Sequence, residues 1–391
     1  MGAQLNELTL KKEIIKLLYY DKRLSCAELS NVLGKSIPIV TKAITSLIQE
    51  EWVEESGLAT STGGRRPMEY TLKANERYIL SISMDRLFTQ IALFDLHNSP
   101  VTPIETHALP LYENPASLNQ LISIINSFIQ KHNHKERIIG IGIASPGFIN
   151  KEKGIHHSYL QTPDGATLTE HLERQLGLPV YLDNDSSVIA LAELRFGKAK
   201  EVSDSMVVNI GWGIGLGMII DHKIFRGSFG LAGEFSHIPI SESDLLCECG
   251  KRGCLETEGT LLVVAEKAQR LLQKGDISGI QYSDNAFELS QRLMDAANRG
   301  NQDAIAMFSD MGSKIGKALS ILIHIINPAQ IILSGRGAEV GRLLLAPIQQ
   351  ALNTYCIPKL FENSELVISD LGKGDVNVEL IGAAALVMDM I

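Results

Sequence analysis

Apolar residues in the first fifty positions recur at helical spacing. Leu10, Ile14, Leu17 and Leu18 share one face of a helix predicted over Thr9–Tyr20. Ser25-Cys26-Ala27-Glu28 is a capping box, in which Ser and Glu satisfy the free amides at a helix start, and Gly34 ends the helix it opens. Ser36 opens a third helix, with Pro38 in the first turn where a missing N–H costs nothing. Val40, Ile44, Leu47 and Ile48 make its buried stripe, and Ser36, Thr41, Lys42, Thr45 and Gln49 lie on its polar side. Short strands at Trp52-Val53 and Met68–Leu72 flank the turn-rich run Ser61-Thr-Gly-Gly-Arg-Arg-Pro67. Helix, helix, turn, helix, hairpin is the order of a winged helix-turn-helix, assigned to residues 1–75. A three-helix interaction module is the alternative.

Beyond residue 76 the pattern changes. Strand-like runs at Tyr78–Met84, Thr89–Leu96, Arg137–Ile143, Val180–Leu182 and Ile331–Leu333 alternate with helical stretches near 116–132, 187–196, 259–274, 286–298 and 301–326. Such alternation predicts parallel sheets covered by helices. A second lobe is expected near Val207, opening on the Gly-rich run Asn209–Gly217, and Ser334-Gly335-Arg336-Gly337 reads as a strand-to-helix turn. No short-period repeat and no low-complexity segment is evident.

Charge and cysteine content narrow the function. The chain of 391 residues carries a net charge of −9, yet residues 1–75 hold ten Lys/Arg against nine Asp/Glu. Bulk charge therefore excludes a protein that coats nucleic acid, and any DNA contact must come from a local patch. Arg65 and Arg66, beside two glycines at the tip of the wing, suit the narrow, negative minor groove. No run approaches a membrane span, and the N-terminus lacks a signal-peptide core, so a cytoplasmic protein is expected. Three of five cysteines crowd between 247 and 254, which points to metal ligands rather than disulfides. Cys247, Cys249 and Cys254 with His237 make a Cys3His set. With no position left for water, such a set holds structural Zn2+.

These motifs resemble the ROK family, which joins repressors to sugar kinases. The resemblance covers the whole chain, including the wing, and is most specific in Ala232-Gly-Glu-Phe-Ser-His237 followed by Cys247-Glu-Cys249-Gly-Lys-Arg-Gly-Cys254-Leu-Glu256. Ser236 stands where the family pattern has glycine. The resemblance implies a two-lobed actin-like (ribonuclease-H-like) α/β fold after the winged helix. Its first lobe would span 76–195 with a returning helix at 376–391, and its second 196–375. It also implies a sugar site of Asn184, Asp185, Glu234, His237 and Glu256, with Asp185 in the place of the kinase base.

The phosphate loops depart from the kinase pattern. Kinases of this fold read Asp-x-Gly-Gly-Thr where this chain has Asp85-Arg-Leu87-Phe88-Thr89, and Gly-Thr-Gly where it has Gly211-Trp212-Gly213. Large side chains are expected on both sides of the phosphate space, leaving Asp185 a vestigial base. The expectation is a sugar-responsive repressor with operator DNA and a hexose, an N-acetylhexosamine or its phosphate as partners. A hinge between the lobes would link the two, in a homodimer or homotetramer. An ATP-dependent sugar kinase with an accessory DNA-binding domain stays open, as does docking to a sugar-transport protein.

Overall fold

The computed structural model describes residues 2–59, 66–372 and 376–391. The chain divides into two compact units, residues 1–183 with 379–391, and residues 184–378.

The first unit opens with α1 (Gly2–Asp21), β1 (Leu24–Ser25), α2 (Cys26–Leu33), α3 (Ile37–Gln49), β2 (Val53–Leu58) and β3 (Met68–Leu72). The three strands form an antiparallel sheet in the order β1-β3-β2. Local chemistry sets the helix ends. Ser25 Oγ accepts the Glu28 N–H, Glu28 reaches back to the Ser25 N–H at 2.7 Å, and Gly34 at φ 61° ends α2. Ser36 caps α3 through its backbone only, making no side-chain cap bond. Ile14, Leu18, Leu29, Val40, Ile44 and Leu47 are buried as the core of this winged helix-turn-helix.

The rest of the unit runs β4 (Tyr78–Met84), β5 (Phe88–Phe94), β6 (Glu105–Ala108), α4 (Ser117–His132), β7 (Ile138–Ser145), the hairpin β8 (Ile149–Asn150) and β9 (Ile155–His156), α5 (Leu168–Leu176) and β10 (Val180–Asn184). The second unit follows with α6 (Asp185–Phe196), β11 (Ser205–Ile210), β12 (Ile214–Ile220), β13 (Lys223–Phe225), α7 (Leu261–Lys274), α8 (Ala286–Asn298) and α9 (Gln302–Ile326). It ends with β14 (Gln330–Ser334), α10 (Arg342–Tyr355), α11 (Pro358–Phe361) and β15 (Glu365–Ile368), before α12 (Val378–Met390).

The two five-stranded sheets share one topology. One is ordered β6-β5-β4-β7-β10 and the other β13-β12-β11-β14-β15. In each, an antiparallel meander is followed by a strand parallel to its first member. That duplication is the actin-like plan. It is absent from the sequence as a repeat because only the hydrophobic pattern of each half is kept.

From Glu379 onward α12 belongs to the first unit, where it is clamped on two sides. Ser81 Oγ of β4 donates to the Leu380 carbonyl at 2.5 Å, and Ser83 Oγ bonds the Glu379 carboxylate. On α1, Lys16 Nζ donates to the Asp389 carbonyl at 2.7 Å. The Tyr20 hydroxyl reaches both the Ala385 carbonyl, at 3.2 Å, and Asp389 Oδ1, at 2.7 Å. The helix that returns from the second unit thus fastens the winged helix to the first sheet. No described helix is long and apolar enough to cross a membrane.

Candidate functional site

The Gly-rich run expected from the sequence becomes the turn into β12, and its glycines are set by what lies against them. A Cβ at Gly215 would fall 1.8 Å from Ser186 Oγ, so only glycine lets the first turn of α6 lie on this strand. A Cβ at Gly213 would fall 3.0 Å from Glu256 Oε1, and the neighbouring Ile214 N–H donates to Glu256 Oε2 at 3.2 Å. The start of β12 therefore lies between Glu256 and the residue after Asp185.

The first turn of α6 orients its own polar groups. Asn184 is the N-cap, its Oδ1 accepting the N–H groups of Ser186 at 3.0 Å and Ser187 at 3.3 Å. Asp185 Oδ1 accepts the Ser186 N–H at 2.7 Å and its hydroxyl at 3.1 Å. Both side chains are fixed at the helix's positive end, where a carboxylate is favoured.

Glu234 precedes the single helical turn Phe235–His237, and Glu256 lies in the turn Leu255–Thr257 packed beside it. Burial, and then the charge of Glu256, raise the Glu234 carboxyl above its ordinary range. Its oxygens can accept from a sugar hydroxyl. Glu234 Oε2 lies 3.9 Å from His237 Nε2.

The other imidazole nitrogen faces the cysteines. His237 Nδ1 is 3.5 Å from Cys247 Sγ, Cys249 Sγ is 3.7 Å from Cys254 Sγ, and all four donor atoms lie within 4.8 Å of one another. These four residues can hold a metal ion. Tetrahedral zinc with Zn–S and Zn–N bonds of standard length has S···N edges of about 3.5 Å and S···S edges of about 3.8 Å, so the spacing fits. Gly250 at φ 82° and Gly253 at φ 73° turn the loop that carries the thiols. Burial pushes the Cys254 thiol up to about 12, a cost that a cation beside the sulfur removes.

In the winged helix, Ser36 at the N-cap of α3 and Thr41, Lys42 and Thr45 within it are all exposed. The Thr45 hydroxyl bonds back to the Thr41 carbonyl at 2.9 Å, and Lys42 is 3.9 Å from Glu7. Arg66 is exposed, whereas Arg65 lies outside the described residues.

The two segments expected to depart from the kinase pattern differ in structure. Asp85 Oδ1 accepts the N–H groups of Leu87 and Phe88, at 2.6 and 2.7 Å. Those are the backbone donors that a glycine-rich turn would offer to phosphate. The Leu87 and Arg86 carbonyls are taken by the N–H groups of Leu109 and Leu111. Trp212 does not stand in open space, contrary to expectation. Only 6% exposed, it joins the core of the second unit, with its ring centroid 6.2 Å from that of Phe287. A large apolar ring gains more in the core than in water, and here it is buried inward.

Comparison with known proteins places this architecture. The ROK family model matches residues 92–390. The xylose repressor of Caldicellulosiruptor bescii is 29% identical over 376 residues, covering 94% of this chain and 92% of its own. The DNA-binding transcriptional dual regulator NagC of Escherichia coli K12 is 30% identical over 367 residues, covering 93% and 88%. A solved ROK family transcriptional regulator, described as a homologue of the E. coli MLC protein, superposes with a TM-score of 0.75 over 98% of this chain and 97% of its own at 24% identity. A ROK glucokinase from Streptomyces griseus, solved with glucose and AMPPNP, superposes with a TM-score of 0.66 over 78% of this chain and 98% of its own at 23% identity. The longer match is the regulator, over 98% of this chain against 78% for the glucokinase. The chain belongs to the ROK family.

Proposed function

We propose that this protein is a sugar-responsive transcription repressor that binds a hexose or N-acetylhexosamine, free or phosphorylated, without transferring phosphate to it. The observation that carries this reading is the turn at Asp85. Its carboxylate consumes the Leu87 and Phe88 amides that a nucleotide phosphate needs. Phosphoryl transfer depends on positioning and charge stabilisation, and the chain lacks both glycines of the first phosphate turn and the threonine between Gly211 and Gly213 of the second.

Asn184, Asp185, Glu234, His237 and Glu256 are proposed as the sugar wall. Each offers an oxygen or nitrogen at a position fixed by a cap, a backbone bond or a neighbouring carboxylate. Zinc is proposed as the ion for His237, Cys247, Cys249 and Cys254, since thiolates with imidazole select it. When bound, the ion clamps the loop between Glu234 and Glu256. Nε2 of His237 is the nitrogen turned toward Glu234 and free of the cysteines.

DNA binding is assigned to α3 and the wing, with Arg65 and Arg66 in the minor groove, and to a homodimer or homotetramer that presents two winged helices to a two-fold site. Sugar and DNA are linked thermodynamically, because a sugar that prefers one conformation shifts the population that binds DNA. The α12 helix, bonded to α1, carries that change to the winged helix. The assay is ADP release from ATP–Mg2+ with a panel of hexoses, run beside a thermal-shift screen of the same sugars. A sugar that raises the melting temperature without turnover is expected. Sustained turnover at about 1–100 s−1 establishes the kinase instead.

A further inference from the structure

The DNA-reading helix exposes aliphatic side chains where charged ones are expected. Ile37 and Ile39, in the first turn of α3, are 50% and 51% exposed, and Val32 near the end of α2 is 62% exposed. None of these is in the core, which takes Val40, Ala43, Ile44 and Leu47 from the same helix. Isoleucine at an exposed helical position gains no packing and loses side-chain freedom. Scattered surface aliphatics are ordinary. Two within one turn, at the end of the helix that enters the major groove, ask for a partner.

The surrounding chemistry says which. From Leu29 through Gln49 the sequence holds two lysines, Lys35 and Lys42, and no acid. That balance suits a polyanion and gives no complement to a basic protein surface. Neither α2 nor α3 contains an arginine, so the commonest reader of guanine is missing. Thr45 spends its hydroxyl on the Thr41 carbonyl and so offers DNA its methyl instead. On the edges of B-DNA bases the apolar feature available to such a surface is the C5-methyl group of thymine.

We infer that Ile37 and Ile39 are specificity-determining residues that read thymine methyl groups in the major groove of each operator half-site. This rests on the repressor reading and adds to it the chemistry of the sequence preference. The contact involves no ion, so it alters affinity without altering the salt dependence, which the lysines and wing arginines set.

The test uses the full chain. Duplexes are selected from a randomised pool at fixed salt, and the enriched site is remade with deoxyuridine replacing thymidine one position at a time, which removes only the methyl. The expected result is about a fourfold loss per contacted methyl, the value of one buried CH2 group, with an unchanged salt slope. Replacing Ile37→Ala and Ile39→Ala together should abolish the thymine–uracil difference while affinity for random duplex is kept. Both positions are exposed and alanine favours the helix, so the variant should fold. An enriched site bound equally well with uracil overturns this inference alone. So does a variant that still discriminates, or one that changes only the oligomeric state. A pool with no enriched sequence overturns the repressor reading itself.

Discussion

Replacing Gly215 by alanine tests whether β12 and α6 form one wall. The added Cβ would lie 1.8 Å from Ser186 Oγ and 2.9 Å from Ser186 Cβ. The hydroxyl can rotate away, but only by giving up its bond to Asp185 Oδ1, and the Cβ contact persists in every rotamer. Overpacking of this kind costs about 1–3 kcal/mol. For a unit of this size each kcal/mol lowers the melting temperature by about 2–4 °C, so Gly215→Ala should melt roughly 2–12 °C lower. The displaced turn carries Asn184 and Asp185, so the sugar-induced rise in melting temperature should shrink as well. Adding Ser186→Gly removes both crowded atoms and should restore packing, giving a coupling energy of about 1 kcal/mol or more in a double-mutant cycle. Thermal and urea unfolding with and without sugar read both effects. A Gly215→Ala protein as stable and sugar-responsive as the parent would refute the close packing on which the site is built.

Three further outcomes are expected. Protein prepared without chelator should carry one zinc per chain, and Cys254→Ser should lose the metal, the fold stability of the second unit and the sugar response together, as metal analysis and thermal shift would report. Tyr20→Phe removes the hydroxyl that bonds α12 at two points; sugar-free operator affinity should stay within about twofold while the sugar effect on gel-shift titrations falls. His156 is buried, accepting the Ser158 and Tyr159 N–H groups at Nδ1 and bonding Ser145 through Nε2, and burial lowers its pKa to about 4. Because the unfolded chain binds the proton more tightly, its contribution is full above about 6.5 and fades as pH falls toward 4, by about 3 kcal/mol. His156→Gln should flatten the acid limb of the stability curve between those values; an unchanged limb removes the residue from acid unfolding.

Much of the fold was legible because local chemistry and tertiary structure agree. Ser25, Glu28 and Gly34 announce α2, and β3 and β4 run where their apolar residues predict. The elements missed have weaker signals. Strand β6 alternates half-buried and exposed polar residues and has no apolar period. Helix α5 was detectable, since Thr167 and Glu170 form a capping box and Gly177 closes it. At the site, residue types and spacing named the cysteines, and the family resemblance named the carboxylates. They could not show that His237 turns one nitrogen to each group, because that depends on two loops meeting. Trp212 shows the opposite limit. A loop residue's identity does not give its direction, and the indole turned toward the core.

The position of α12 also orders the birth of the molecule. Proteins commonly fold from the N-terminus as they are synthesised. Here Ser81 and Ser83 of β4 have their partners at Leu380 and Glu379, and Gly142 of β7 fits against Ala383, where a Cβ would fall 2.0 Å from the carbonyl oxygen. One face of the first sheet thus stays open until residues 379–389 leave the ribosome. The same residues anchor α1, so a nascent chain has its three N-terminal helices before α1 is fastened. A correctly held winged helix therefore waits for residues 379–389, and a chain truncated ahead of Glu379 should neither close its first sheet nor hold its winged helix in place.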